Sequence, residues 1–171
     1  IITSRFKGLG TILSGITVDD DQWEFSNNDK IRDSKPDGLV SMQANATPTV
    51  ITATVYTLVL GTWVVGDVSQ MTGTTAGRLT YNAPKDIRAP AIFACSVEPV
   101  SGTNKTISIR LAVNGVSVAG STRTARMDSG DPASITMPWQ PTLSQTDYIE
   151  VFVTSLDGTN VLVSSATGMF N

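Results

Sequence analysis

Thr106-Ile107-Ser108-Ile109-Arg110-Leu111-Ala112-Val113-Asn114-Gly115-Val116-Ser117-Val118-Ala119-Gly120 decides the fold class. Ile107, Ile109, Leu111 and Val113 alternate with Thr106, Ser108, Arg110 and Ala112. An apolar period of two is that of a strand with one buried face. Asn114-Gly115 accepts the positive φ angles of a type I′ turn, whose twist suits the flanking strands. Val116-Ser117-Val118 then resumes the alternation, so the stretch reads as a β-hairpin.

Similar signals lie on both sides. Thr49 to Leu60 is rich in Val, Ile, Thr and Tyr, and Arg78 to Ala83 alternates Leu79, Tyr81 and Ala83 with Thr80 and Asn82. Ala91 to Val97 is a nearly continuous apolar run, as expected of a central strand buried on both faces. Ile135 to Trp139 reads as a short strand that stops against Pro138 and Pro141, and Tyr148 to Thr154 is β-branched and aromatic. Val161 to Ser165 returns after the Asp157-Gly158 turn. Met71 to Gly77, Ser101 to Lys105 and Asp128 to Pro132 are turn clusters. Strands at this spacing, without a 3.6-residue pattern, predict an all-β, antiparallel two-sheet sandwich. Its buried face should include Ile107, Ile109, Leu111, Val113, Ile149, Val151 and Val153.

The first 40 residues differ. Thr17 to Lys35 carries Asp19, Asp20, Asp21, Asn27, Asn28, Asp29 and Asp33 around Trp23 and Phe25, with too little apolar surface for a central strand pair. Residues 1–40 read as an N-terminal arm or small subdomain, residues 41–171 as the β domain, with Pro36-Asp37-Gly38 as a boundary turn. A first residue Ile1 suggests a processed product or the ordered part of a longer chain.

Composition excludes several functions. With 171 residues a core forms without metals or disulfides, and the single Cys95 permits no intrachain disulfide. Charged residues are 16% and the net charge is −3, with no Lys/Arg run longer than two, so no nucleic-acid footprint is present. No apolar run approaches the ~18 residues of a transmembrane helix. The chain has no histidine, which removes a Ser-His-Asp or Cys-His nucleophile and the commonest zinc ligand. No Gly-rich phosphate loop precedes a helix. Asp128 and Asp131 are a conceivable carboxylate pair, but around Gly130 they read as a turn. Asp19 to Asp21 with Asn27-Asn28-Asp29 offer oxygen ligands for calcium without EF-hand spacing; solvated loop is the plainer reading. Cys95 reads as a small buried hydrophobe rather than a reactive thiol. Trp23, Trp63 and Trp139 read as core plugs or interface anchors ahead of sugar platforms. Asn45-Ala46-Thr47 and Asn104-Lys105-Thr106 match the glycosylation pattern. No catalytic, cofactor or metal residue is expected, and the chain reads as non-enzymatic.

From Gly77 onward the order of features resembles the tumour-necrosis-factor/C1q jelly-roll superfamily, in the version found in bacteriophage virion proteins. The resemblance rests on Gly77-Arg78-Leu79-Thr80-Tyr81, the run Ala91 to Val97, the loop Val100 to Lys105, the Asn114-Gly115 hairpin, the block Leu143 to Val151, and Ala166-Thr167-Gly168-Met169-Phe170. It extends to Thr47–Thr75 and leaves out the first 40 residues. It implies a jelly roll from about Thr47 to Asn171, a homotrimer, and a place on the virion surface, and it implies no catalytic residue. The expected function is a capsid decoration or cement protein that binds a major capsid protein or another virion protein. The alternative is a fibre or tail-needle tip that binds a host surface receptor or glycan. Tyr81, Phe93, Tyr148, Phe152 and Phe170 are the expected trimer contacts, and Phe6, Trp23 and Phe25 the particle-binding anchors of the arm.

Overall fold

Lys105–Val113 and Val116–Ser117 pair antiparallel, with Asn114 at φ 51° and Gly115 at φ 76°, the positive angles the Asn-Gly pair was expected to supply. Asn114 also clamps the neighbouring strand: its Nδ2 donates to Asp147 Oδ1 at 2.6 Å and its Oδ1 accepts from Tyr148 N at 3.0 Å. These bonds, from Asn114 first and from the Ser144 N–H next, hold the Asp147 carboxyl below the usual carboxylate range.

The computed structural model describes residues 36–171. Their strands are β1 (Asp37–Met42), β2 (Thr57–Leu58), β3 (Val64–Ser69), β4 (Met71–Gly73), β5 (Leu79–Tyr81), β6 (Ile87–Arg88) and β7 (Ala91–Pro99). They continue as β8 (Lys105–Val113), β9 (Val116–Ser117), β10 (Arg123–Met127), β11 (Ala133–Trp139), β12 (Thr142–Leu143), β13 (Tyr148–Ser155) and β14 (Val161–Phe170). Among the described residues there is no α-helix, only a 3-10 turn at Ala119–Ser121. One sheet has the order β11-β7-β14-β1-β3 and the other β10-β8-β13-β5-β4, with β2 beside β13 and β9 beside β8; β12 and β6 form a separate ribbon. Consecutive long strands fall in different sheets: β7 to β8, β10 to β11 and β13 to β14 each cross the sandwich. That winding is a jelly roll.

The core lies between the sheets. Ile149, Val151 and Val153 stand opposite Val113, Leu111 and Ile109, and all of these are buried except Val113 at the rim, which is half-buried. From the five-stranded sheet come Val40, Met42, Phe93, Cys95, Val97, Met137, Val163 and Phe170.

Several expectations are corrected. β1 starts at Asp37, so Asp37–Val40 belong to the sandwich and Asp37-Gly38 is strand rather than boundary turn. The glycine is there for space: a Cβ at Gly38 would come within 2.9 Å of Met71 Sδ and 3.0 Å of Leu79. Thr49–Leu60 is not one strand. It touches the sheets through an isolated Thr49–Val161 bridge and the two-residue β2, with Thr54 at φ 66° between them. Met71–Gly77 is a strand followed by a turn, closed by Gly77 N to Thr74 O at 3.0 Å. β7 is buried on one face only; Ile92 on the other is 39% exposed. β11 runs through Pro138 to Trp139. It is an edge strand, and an edge tolerates a residue without an N–H. Phe6, Trp23, Phe25 and Asp19 to Asp21 lie outside the described residues.

Candidate functional site

Tyr81, Phe93 and Phe170 are inside the single chain's own core, at 3%, 0% and 0% exposure, and have no surface to offer a partner. On β5, β7 and β14 these aromatics take the inward side. Tyr148 and Phe152 are half-buried on the outward side of the other sheet.

That outward side carries a cluster that sequence order does not reveal. Arg78 Nε and Nη2 both donate to Glu150 Oε1, at 2.9 and 2.8 Å, and the Arg78 guanidinium stacks 3.8 Å from the Tyr148 ring centre. Glu150 is 2% exposed. Arg110 stacks in the same way on Tyr56 at 3.9 Å and donates from Nε to Thr122 Oγ1. The partners are 72 residues apart in the first case, so only the β13–β5 pairing brings them together.

The outward side of the five-stranded sheet is of a different kind. The registers align Leu39, Met169, Ile92 and Pro138 across β1, β14, β7 and β11. The next row is Ser41, Thr167, Ala94 and Thr136, and beyond it Ser165, Ser96 and Ser134. No charged residue stands in these rows. Ile92 is 39% and Met169 43% exposed. A sheet face that meets water ordinarily carries charges.

At the Pro138 end, one residue beyond the apolar row, a groove of about 450 Å³ opens. It is lined by Arg88, Pro90, Ile92, Arg123, Trp139 and Gln140, among others. Its frame is the pairing of Trp139 with Ala91 and of Thr142 with Arg88. Trp139 is half-buried, its benzo edge so close to Gly120 that a Cβ there would lie 2.7 Å from Cη2.

Trp63 is a core plug at 1% exposure, with Gly77 at φ 78° held against its ring; its Nε1 has no hydrogen-bond partner. Asn45 of the first glycosylation pattern is a structural donor, its Nδ2 bonding Leu60 O at 3.0 Å and Val163 O at 2.9 Å. Asp128 accepts from Asn104 N and Asp131 N donates back to Asp128 O, a turn as expected. Asp157 bonds Lys105 and Ser155, which lower its pKa in that order. Among the described residues no group of three or more His, Cys, Asp or Glu could hold a metal ion, and no helix is long and apolar enough to cross a membrane.

Cys95 is 2% exposed, and burial pushes its thiol up to about 12. A thiolate is the reactive form. The folded protein is therefore expected not to react with Ellman's reagent at pH 8, and to release one equivalent of thiol signal once unfolded in guanidinium. Rapid reaction in the native state would contradict the buried placement.

The fold defines the class: an antiparallel two-sheet jelly roll. Among solved structures, the chain is similar to murine APRIL at pH 5.0, with 10% identity over 79% of this chain and 98% of that one, at a TM-score of 0.50. It is also similar to the PRD1 vertex protein P5 (12% identity, 79% and 96% covered, TM-score 0.47) and to the globular domain of zebrafish complement 1qA (10%, 80% and 96%, TM-score 0.42). At such identity the likeness concerns the fold alone. No protein-family model and no curated protein matches the chain.

Proposed function

We propose that this protein is a non-enzymatic phage virion structural protein, which assembles as a homotrimer and decorates or cements the particle surface. The observation that carries the self-assembly is the three uncharged rows on the outer side of the five-stranded sheet. Its row Leu39–Met169–Ile92–Pro138 spans four strands, and serine, threonine and alanine fill the rows behind it. An apolar row on a flat face of small side chains gains by leaving water, and a closed ring of like copies is the common way to cover it. The virion placement is supported by the resemblance of Gly77–Phe170 to phage jelly rolls. In this reading residues 1–35, with Phe6, Trp23 and Phe25, bind the major capsid protein or another virion protein.

Light scattering at micromolar concentration is expected to give three times the 18.1 kDa chain mass. Met169→Glu with Ile92→Glu should give a monomer of unchanged circular dichroism, because both side chains already meet solvent and the core does not use them. A wild-type monomer, or a double variant that stays trimeric, would remove this face from the reading. Deleting residues 1–35 should leave a trimer that no longer binds particles; a truncated protein that still coats them would remove the arm.

A further inference from the structure

Two guanidinium groups, a tryptophan and a side-chain amide line one groove at the end of β11, in a chain whose net charge is −3. Neither guanidinium is balanced there, since no carboxylate is among the lining residues and neither arginine has an ion pair among the described residues. Arg88 is exposed; Arg123 is half-buried on an edge strand, and its Nη1 donates to Thr122 O at 2.8 Å, which orients the rest of the group. Two cations that line one groove without a counter-charge favour an anion in it.

The rest of the lining narrows the anion's class. A free inorganic anion needs donors only. This groove also presents Trp139, whose flat ring offers apolar area to the C–H face of a sugar, and Gln140, whose amide both donates to and accepts from hydroxyls. Pro90 and Pro138 fix the backbone on two sides, so the groove is preformed and little order is lost on binding. Its volume of about 450 Å³ lies within the ordinary range of small-ligand pockets, roughly 300–1,000 Å³.

We propose that this groove binds an acidic saccharide, with a sugar ring against Trp139 and its carboxylate between Arg88 and Arg123. The inference goes beyond self-assembly: the cations and the ring belong to one chain, and the groove shares only Ile92 and Pro138 with the row proposed for self-assembly.

Isothermal titration of the full chain with sialyl-lactose tests it, with lactose and sodium acetate as controls. Sialyl-lactose should give saturable binding that weakens as salt is raised, with both controls much weaker. Arg88→Gln should weaken binding about tenfold or more, the loss expected for one charge-assisted hydrogen bond. Arg88 is exposed, so this variant keeps its fold, and circular dichroism checks that. Trp139→Phe, which preserves an aromatic plug against Gly120, should weaken binding less than Trp139→Ala. No binding of sialyl-lactose, equal binding of lactose, equal binding of acetate, or an Arg88→Gln variant of unchanged affinity would each overturn the proposal.

Discussion

Phe93→Ala is expected to lower the unfolding free energy by about 3–5 kcal/mol, a large share of the stability of a domain of this size. Phe93 is fully buried and lies against Gly168 on the neighbouring strand, where a Cβ would come within 2.2 Å of its Cε1. The ring thus fills the space above a glycine as well as its own, and truncation leaves a void that β14 does not close. Urea unfolding at a fixed protein concentration measures the loss. Gly168→Ala sharpens the test through its sign: it should destabilise the wild type, whose ring occupies the space, and be close to neutral beside Phe93→Ala. If Phe93→Ala dissociated an oligomer and left subunit stability unchanged, the inward placement of the ring would be wrong.

Arg78→Ala is expected to cost about 3 kcal/mol, from the lower end of the range for breaking a buried ion pair. The lower end applies because the Arg78 side chain is 39% exposed while Glu150 is only 2% exposed. What is lost is chiefly the compensation of a carboxylate that water does not reach, with the stacking on Tyr148 lost as well. Arg78→Lys keeps the charge but not the two-nitrogen grip on Oε1, and should recover part of the loss. Glu150→Gln added to Arg78→Ala should recover part too, since no buried charge then remains. A double-mutant cycle with additive costs would show that the pair is not coupled.

The legible parts of the fold are those whose neighbours impose one simple rule. On β8 and β13 one side faces the core, so alternation in sequence became alternation in burial, and Asn114-Gly115 fixed the hairpin because few other pairs accept two positive φ angles. Thr49–Leu60 has the composition of a strand yet is mostly loop. Strand propensity reflects packing on a pleated surface, and here Val50, Val55 and Leu60 are 68%, 50% and 42% exposed. β3 went unread for the opposite reason, because Gly66 and Asp67 interrupt an exposed edge strand with no burial pattern to detect. For the five aromatics, period alone told which residues share a side of a strand, not which side of the sheet meets the core. The apolar row and the Arg78–Glu150 pair were out of reach, since each needs the register between strands far apart in sequence. The groove was partly legible in Trp139; its arginines come from β6 and β10, which carry no motif.

The position of β14 also governs when this protein becomes itself. It is the latest of the described strands in chain order, yet it lies in the middle of its sheet, between β1 and β7. During synthesis β1 waits with an unpaired edge while more than a hundred residues emerge, until Phe170 comes opposite Gly38. Contacts this distant in sequence make folding slow and leave strand edges open to wrong partners meanwhile. The five-stranded sheet closes only after Phe170 has emerged, so the face proposed for self-association forms late in folding.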